Sequence, residues 1–500
     1  MKLKHYTTKS KRSKVLESNF LYYDPTILDP SKLWSHQRHA QEVLSSEPRW
    51  IHQWEPRTGK TRGVHAQMVR WHNRGFKRTL VVAPLTVCGL VWSPDTRKCF
   101  PFLKGTTSLK TISLYSGTLA HRKEVLRAEI FLKSDKVPTC IIVNREALAA
   151  LVDELAKWGP EIVILDELHD YKTPSSARHK AAFKLANVAS IVRGLTGTII
   201  TRDYSDIYGQ AKVVKPAVFG TSKDTFESRY IVREQKFQAI IAYRNLEELS
   251  NKLLGFSDIQ LRKDCFDIPD DQVIIRKVQL PLKAKAMYKN LVKTHTLEHI
   301  VDANGKILSV GHALARLTML QQLAGGSLKH PDGTIEWVHD ALLNQCEAEV
   351  DEITEAGKKV VIFYRFDAEG KKIQERVGGF LLNGGVPADK RQGMVETWAR
   401  MDSGVSVLIV QEAIGSVGLS FIATDYTIFY SCSTNFGIHT QAKDRTFKPQ
   451  NEEKSIKLVR TYLQAEGTVH TWIMALIKRK QNASDALLGG NFELIAMGES

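Results

Sequence analysis

Short apolar runs recur along the chain at intervals that leave room for a helix between them. Thr79-Leu80-Val81-Val82-Ala83-Pro84, Thr139-Cys140-Ile141-Ile142-Val143-Asn144, Glu161-Ile162-Val163-Ile164-Leu165 and residues 189–198 each hold such a run. Continuous rather than alternating hydrophobicity marks strands buried on both faces, as in a parallel sheet. Helix-sized spacers between them predict a doubly wound α/β fold, with ligands bound at the carboxyl ends of the strands. A second set, residues 358–364, 405–410 and 426–430, repeats the pattern and predicts a second sheet. Residues 33–40, 62–71 and the stretch from Arg391 to Trp398 read as helices.

The candidate chemistry falls in the turns between these elements. Trp54-Glu55-Pro56-Arg57-Thr58-Gly59-Lys60-Thr61 precedes a predicted helix and ends as a phosphate-binding loop does. Such a loop needs a glycine whose backbone approaches a polyphosphate, a lysine to reach the β/γ-phosphates and a hydroxyl for Mg²⁺. Amides in the first turn of the helix add to the anion site. The full pattern has glycine at its first position, where this chain has Trp54. Just upstream, Gln37 has a side chain that donates and accepts hydrogen bonds, which is what reading adenine requires. After the third apolar run come Asp166 and Glu167. Asp166 is placed to hold Mg²⁺ through its water shell, and Glu167 to orient and deprotonate the attacking water.

Composition narrows the class. Of 500 residues, 43% are hydrophobic, which is enough for globular cores in several domains. Lys and Arg exceed Asp and Glu by 70 to 54, a net +16 that suits a polyanionic partner. No apolar run approaches the roughly 18 residues of a membrane span. The six cysteines are scattered singly, which argues against a zinc ribbon or a disulfide framework. His295-Thr296-Leu297-Glu298-His299 matches a short metallopeptidase pattern, but its polar surroundings favour chance.

Gly59-Lys60-Thr61, Val82-Ala83-Pro84, Asp166-Glu167-Leu168-His169 and Leu195-Thr196-Gly197-Thr198 occur in the order of superfamily 2 helicase motifs. The finer resemblance is to Swi/Snf-type DNA translocases, in a minimal bacterial or phage-like version. It extends through Asp203–Ile207, Pro216, Phe219-Gly220, Leu261-Arg262-Lys263-Asp264 and Gln441–Gln450. The resemblance implies an α/β protein of two tandem RecA-like doubly wound parallel-sheet lobes, with an ATP/DNA cleft between them. The expected organisation is a basic arm (1–30), lobe 1 (31–255), a link (256–280), a helical protrusion (281–340) and lobe 2 (341–490).

By the same resemblance, Lys60, Asp166, Glu167 and Arg445 are catalytic. Gln37, Thr58, Gly59, Lys60, Thr61, Gly418, Arg445 and Lys448 bind ATP, and Thr61 and Asp166 hold Mg²⁺. Pro84, Gly117, Asn144, Arg145, Glu412 and Asn435 face nucleic acid. Arg57 stands where the family has a glycine, and Lys448 where it has a second arginine. The implied activity is ATP-driven movement along duplex or branched DNA by a cytoplasmic monomer of a bacterial or phage-infected cell. A strand-separating DNA or RNA helicase and a non-catalytic DNA-binding scaffold with a degenerate ATP site are the alternatives, so RNA stays open as a partner.

Overall fold

The computed structural model describes residues 33–92, 109–132, 137–201, 203–234, 240–265, 271–294, 310–330, 333–415, 419–447 and 458–489. The 1–30 arm, the His295–His299 stretch, Gly418 and Lys448 lie outside these residues. The described residues divide into two compact units, 33–265 together with 483–489, and 271–482.

In the first unit, α1 (Ser35–Glu42) precedes β1 (Arg49–Trp54), α2 (Lys60–Asn73) and β2 (Arg78–Ala83). There follow β3 (Lys110–Ser113), α3 (Leu119–Leu132), β4 (Thr139–Asn144), α4 (Leu148–Trp158), β5 (Ile162–Asp166), α5 (Ala177–Val188) and β6 (Ile191–Thr196). Later in the chain, β7 (Ser257–Gln260) joins the same sheet. The strand order is β3-β4-β2-β5-β6-β1-β7, and every neighbouring pair is parallel. Strand periodicity sorts the side chains into two cores. Leu80, Val82, Ile141, Val143, Val163 and Leu165 pack on one face, and Val81, Ala83, Cys140, Ile142, Ile162 and Ile164 on the other. Burial on both faces is the reason the runs read as continuous in sequence.

The second unit repeats the plan. Its strands are β8 (Asp271–Val278), β9 (Val360–Tyr364), β10 (Phe380–Leu382), β11 (Val407–Gln411), β12 (Tyr426–Phe429) and β13 (Leu458–Ala465). They form an all-parallel sheet in the order β8-β13-β12-β9-β11-β10. Val360, Ile362, Tyr364 and Ile409 face one core, and Val361, Phe363, Leu408 and Val410 the other.

Two parallel-sheet α/β lobes are therefore present, as expected, with different edges. The expected link at 256–280 supplies an edge strand to each sheet, because β7 pairs with β1 and β8 with β13. The described helices of the 281–340 region, α6 (Leu282–Thr294) and α7 (Val310–Gly325), belong to lobe 2 rather than standing off it. Ala284, Tyr288, Leu320, Leu323 and Ala324 enter the lobe 2 core, and Tyr430 donates its hydroxyl to the Gly325 carbonyl at 2.7 Å.

Candidate nucleotide and nucleic-acid site

The phosphate loop runs from β1 into α2, and α1 supports it from below. Gly59 has φ 76°, and a Cβ there would lie 2.2 Å from Gln37 Nε2 and 2.9 Å from the Trp34 ring. Only glycine satisfies both the backbone angle and the space. Gln37 is buried; its Nε2 donates to the Gly59 carbonyl at 3.1 Å, and its Oε1 accepts from the Trp34 amide at 3.0 Å. The residue expected to read adenine thus has each end of its amide on the protein backbone in this structure, where it shapes the loop. His36 Nε2 lies 2.8 Å from the Thr58 carbonyl, adding a second tie from α1. Thr58 is buried and donates its hydroxyl to Glu55 O at 2.7 Å, so it closes the turn. Lys60 donates Nζ to Trp54 O at 2.6 Å, and Thr61 follows it in the first turn of α2.

Trp54, in the place of the first glycine, turns its indole inward and donates to Asp258 Oδ2 at 2.6 Å. The ring lies against Gly63, where a Cβ would meet it at 2.9 Å. Arg57 adopts φ 74°, the left-handed conformation that glycine occupies without cost.

Strand order puts the other half of the site beside this loop, since β6 lies between β1 and β5. Asp166 ends β5, buried; Oδ2 accepts from Trp92 Nε1 at 2.8 Å and Oδ1 from the Glu167 amide at 3.0 Å. Burial first, and the neighbouring Glu167 charge second, push the Asp166 carboxyl above the usual carboxylate range, while the indole hydrogen bond opposes them. Glu167 has φ 52° and stays partly exposed, with its carboxylate 3.4 Å from His169 Nδ1. Burial holds His169 near pKa 3, so the imidazole is neutral. The same nitrogen lies 3.4 Å from Thr196 Oγ1, which donates to Thr198 O at 2.9 Å. Between them, Gly197 approaches Pro56 so closely that a Cβ would sit 2.9 Å from the proline ring. The acidic pair, the Thr-Gly-Thr turn and the phosphate loop therefore form one connected surface.

The expected nucleic-acid residues of this lobe gather at the ends of β2, β3 and β4. Ala83 pairs with Asn144 in register, which brings Pro84 beside Arg145. Pro84 itself is buried, and its carbonyl accepts from Val87 and Cys88. It therefore sets the course of the loop without facing a ligand. Arg122, which the sequence reading passed over, gathers the rest. Its guanidinium donates to the Tyr115, Ser116 and Gly117 carbonyls and, at 2.9 Å, to Asn144 Oδ1. The signal was an arginine five residues beyond the exposed Gly117, on the helix that follows. Asn144 is buried and also donates to Glu146 at 3.0 Å, so it holds the turn. Arg145 pairs with Asp170, which lies one turn beyond Glu167.

Within lobe 2, Glu412 is a correction. Expected against nucleic acid, it is 1% exposed, with Oε2 accepting from the Ser433 amide and Oε1 2.7 Å from His439 Nδ1. A carboxylate sealed in this way ties the β11 end to α8 (Phe436–Asp444), and its negative charge would in any case repel a phosphate. Asn435 is exposed and caps α8, its Oδ1 accepting from the Gly437 and Ile438 amides. Arg445 follows that helix, its carbonyl held by the Phe421 amide at 2.9 Å.

A phosphate loop and an acidic pair at the ends of β1 and β5, on either side of β6 and on one of two parallel-sheet lobes, define a P-loop nucleotide-binding protein of the helicase-like class. The SNF2-related domain matches residues 2–325, and the chain belongs to that family. Protein p41 of Acyrthosiphon pisum secondary endosymbiont phage 1 is 27% identical over 309 residues, covering 58% of this chain and 62% of its own length. The SWI/SNF-related matrix-associated actin-dependent regulator of chromatin subfamily A-like protein 1 of Xenopus tropicalis is 25% identical over 348 residues, 68% of this chain and 34% of that protein. The chain thus spans less than two thirds of the length of these relatives. Among solved structures, the Sulfolobus solfataricus SWI2/SNF2 ATPase core in complex with dsDNA aligns over 94% of this chain and 97% of its own, at 18% identity and a TM-score of 0.41. Among the described residues, no helix is long and apolar enough to cross a membrane.

Proposed function

We propose that the chain hydrolyses ATP to move along DNA, duplex or branched, and so displaces or remodels what is bound there. The observation that carries this reading is the connected surface of lobe 1. The end of β5 and the turn that follows it hold Asp166, Glu167 and Asp170, so the carboxylates assigned to hydrolysis and the acid paired with Arg145 sit on the same short segment.

The residues fit the nucleotide. Gly59 and the first turn of α2 offer backbone amides, Lys60 a cation that can exchange Trp54 O for a phosphate, and Thr61 a hydroxyl. Thr61 and the buried Asp166 are an all-oxygen set of the kind magnesium takes, and the bound ion would neutralise phosphate charge. Glu167, partly exposed beside it, is assigned the attacking water. Arg445 is assigned the stabilisation of charge on the transferring phosphoryl group, a role worth on the order of 10³–10⁵ in rate in related chemistry. Gly117, Arg145 and Asn435 are the assigned nucleic-acid contacts, on loops that offer backbone groups and suit binding to any sequence. The net charge of +16 favours that association.

The test is ATP hydrolysis without nucleic acid and with single-stranded DNA, duplex DNA, a four-way junction or RNA, with Lys60→Ala beside the wild type. Stimulation by duplex or junction DNA, lost in the variant, is the expected result. Stimulation confined to single strands or RNA points to a strand-separating helicase. DNA binding without any hydrolysis makes the chain a scaffold.

A further inference from the structure

One buried contact, between Trp92 and Asp166, links the segment after β2 to the acidic pair. The segment after β2 begins at Pro84, makes a helical turn over Leu85–Val87 and closes with a single π-helical turn, Cys88–Trp92. Single π turns interrupt regular helices mostly where a side chain must be re-aimed, often at functional sites. Here the turn aims Trp92 inward. The indole is 1% exposed, and Nε1 donates to Asp166 Oδ2 at 2.8 Å. Its ring meets His65 of α2 edge-on, with centroids 4.8 Å apart. Burial keeps His65 neutral, near pKa 3, so that contact is packing and not a cation–π interaction. Back along the same turn, the Cys88 thiol lies against the Ala83 and Val143 carbonyls, at the strand ends that lead into Pro84 and Asn144. Trp92 therefore touches the helix that opens at the phosphate loop and the carboxylate assigned to magnesium. It does so from the segment that starts at the nucleic-acid side.

We propose that Trp92 is a positioning residue: it fixes the Asp166 carboxylate for the metal and transmits movement of the Pro84–Trp92 segment to it. This inference rests on the proposed ATP-driven function. The physical basis is acceptor geometry. Oδ1 is already turned towards the Glu167 amide, so the indole on Oδ2 leaves the carboxylate one orientation. Each oxygen keeps a second lone pair for a metal-bound water. Partners that orient metal-holding groups in this manner affect metal affinity strongly when removed. Because the donor's segment begins at Pro84, which the strand register brings beside Arg145, a shift at Arg145 on nucleic-acid contact would reach Asp166 through that segment.

The test compares Trp92→Phe with the wild type by ADP binding in EDTA and across a Mg²⁺ titration, then by basal and DNA-stimulated hydrolysis. The expected result is unchanged ADP affinity in EDTA and a Mg²⁺ half-saturation raised roughly tenfold, within the range for lost partners of metal-holding groups. The ratio of stimulated to basal hydrolysis falls as well. Trp71→Phe is the packing control. Trp71 is as deeply buried in the same lobe, but its indole donates to Ser45 O at 2.8 Å, away from Asp166. It should lower thermal stability similarly and leave the Mg²⁺ dependence where it was.

A second measurement needs only the folded wild type and Asp166→Asn. Among the nine tryptophans, one indole N–H resonance should move both with that substitution and with Mg²⁺ added to the ADP-bound protein. Unchanged Mg²⁺ dependence in Trp92→Phe, the same shift in Trp71→Phe, or no indole resonance responding to both changes would overturn the proposal. A wild type that shows no Mg²⁺-dependent nucleotide binding and no stimulated hydrolysis overturns the proposed function instead.

Discussion

In lobe 1, β5 runs into Asp166 and Glu167; in lobe 2, β11 runs into Glu412. Both strands lie inside parallel sheets of the same design, and both lead into carboxylates at the edge where such sheets bind ligands. The surroundings differ. Glu167 keeps 22% of its side chain exposed, whereas Glu412 is covered and has partners on both oxygens, Ser433 and His439. Tyr462 hydroxyl lies 3.3 Å from the far nitrogen of that histidine and extends the network. A short distance away, Glu369 of the same lobe is buried completely, with one oxygen accepting from Ser431, Arg365 and Phe366. Lobe 1 leaves Glu167 partly open, and lobe 2 uses Glu412 as an internal tie. Position at a strand end thus marks where a ligand site is permitted, and exposure is what separates Glu167 from the sealed Glu412.

The sharpest way to break that contrast is to remove the charge from each acid while keeping its shape. Glu167→Gln should retain ATP and lose hydrolysis by about 10²–10⁴-fold, the usual contribution of a general base. Glu412→Gln should leave hydrolysis within a fewfold of wild type, since an amide oxygen can still accept from Ser433. Steady-state ATPase assays with nucleotide binding measured in parallel decide it. A larger loss in Glu412→Gln than in Glu167→Gln would invert the assignment of the two lobes.

Glu369 tests the burial side by pH. Desolvation raises its pKa from 4.5 to about 7, against the hydrogen bonds of Ser431, Phe366 and Arg365. A carboxyl whose folded-state pKa is raised adds stability in full below pH 4.5, and that contribution is lost as the pH rises through about 7. The whole effect is about 3 kcal/mol at one pKa unit per 1.36 kcal/mol. Glu369→Gln, which has no charge to bury, should therefore gain on the wild type between pH 5 and pH 8. Denaturant melts of both proteins at the two pH values measure the gap, and parallel curves would mean the carboxyl is not desolvated.

Truncating the tie itself has a smaller effect. Glu412→Ala leaves the Ser433 amide and the His439 ring facing a buried space, which costs about 1–3 kcal/mol for an unsatisfied group. The expected readout is a lower melting temperature with lobe 1 nucleotide binding intact. Stability equal to the wild type would show that Glu412 is not the closure described here.

Much of this was legible because burial writes itself into sequence. β2, β4, β5, β9, β11 and β12 are apolar runs, and each is a strand in the structure. β1 was not legible, since Arg49-Trp50-Ile51-His52-Gln53-Trp54 has no apolar run. Its polar side chains are buried because β7 supplies their partners from some two hundred residues away. Gln53 donates to Ser257, while Trp50, His52 and Trp54 converge on Asp258. A strand held by pairing across that distance gives no local signal. The same holds for Glu412: the resemblance put it against nucleic acid, and partners from distant parts of the chain sealed it instead. The places of Lys60, Asp166 and Glu167, at the start of α2 and the end of β5, were readable because spacing along the chain already encodes a phosphate loop and an acidic pair.

Backbone strain separates the lobes once more. The non-glycine residues with positive φ among those described are Arg57, Glu167 and Asn245, all in lobe 1 and two of them at the nucleotide site. Strain of this kind persists where the surroundings over-determine it, and it concentrates at functional sites. Arg57→Gly tests whether it is stored there. A left-handed φ costs an L-residue about 1–2 kcal/mol, and glycine returns about 0.5–1 kcal/mol of that through its more flexible unfolded chain. The net expectation is a gain of about 0.5 kcal/mol, read as a small rise in melting temperature. Hydrolysis should hold or increase, because the phosphate loop keeps its path with the strain removed. A loss of stability would show that the arginine side chain holds the loop more firmly than its backbone resists. Lobe 1 would then be anchored at that point by side-chain contact, as lobe 2 is at Glu412.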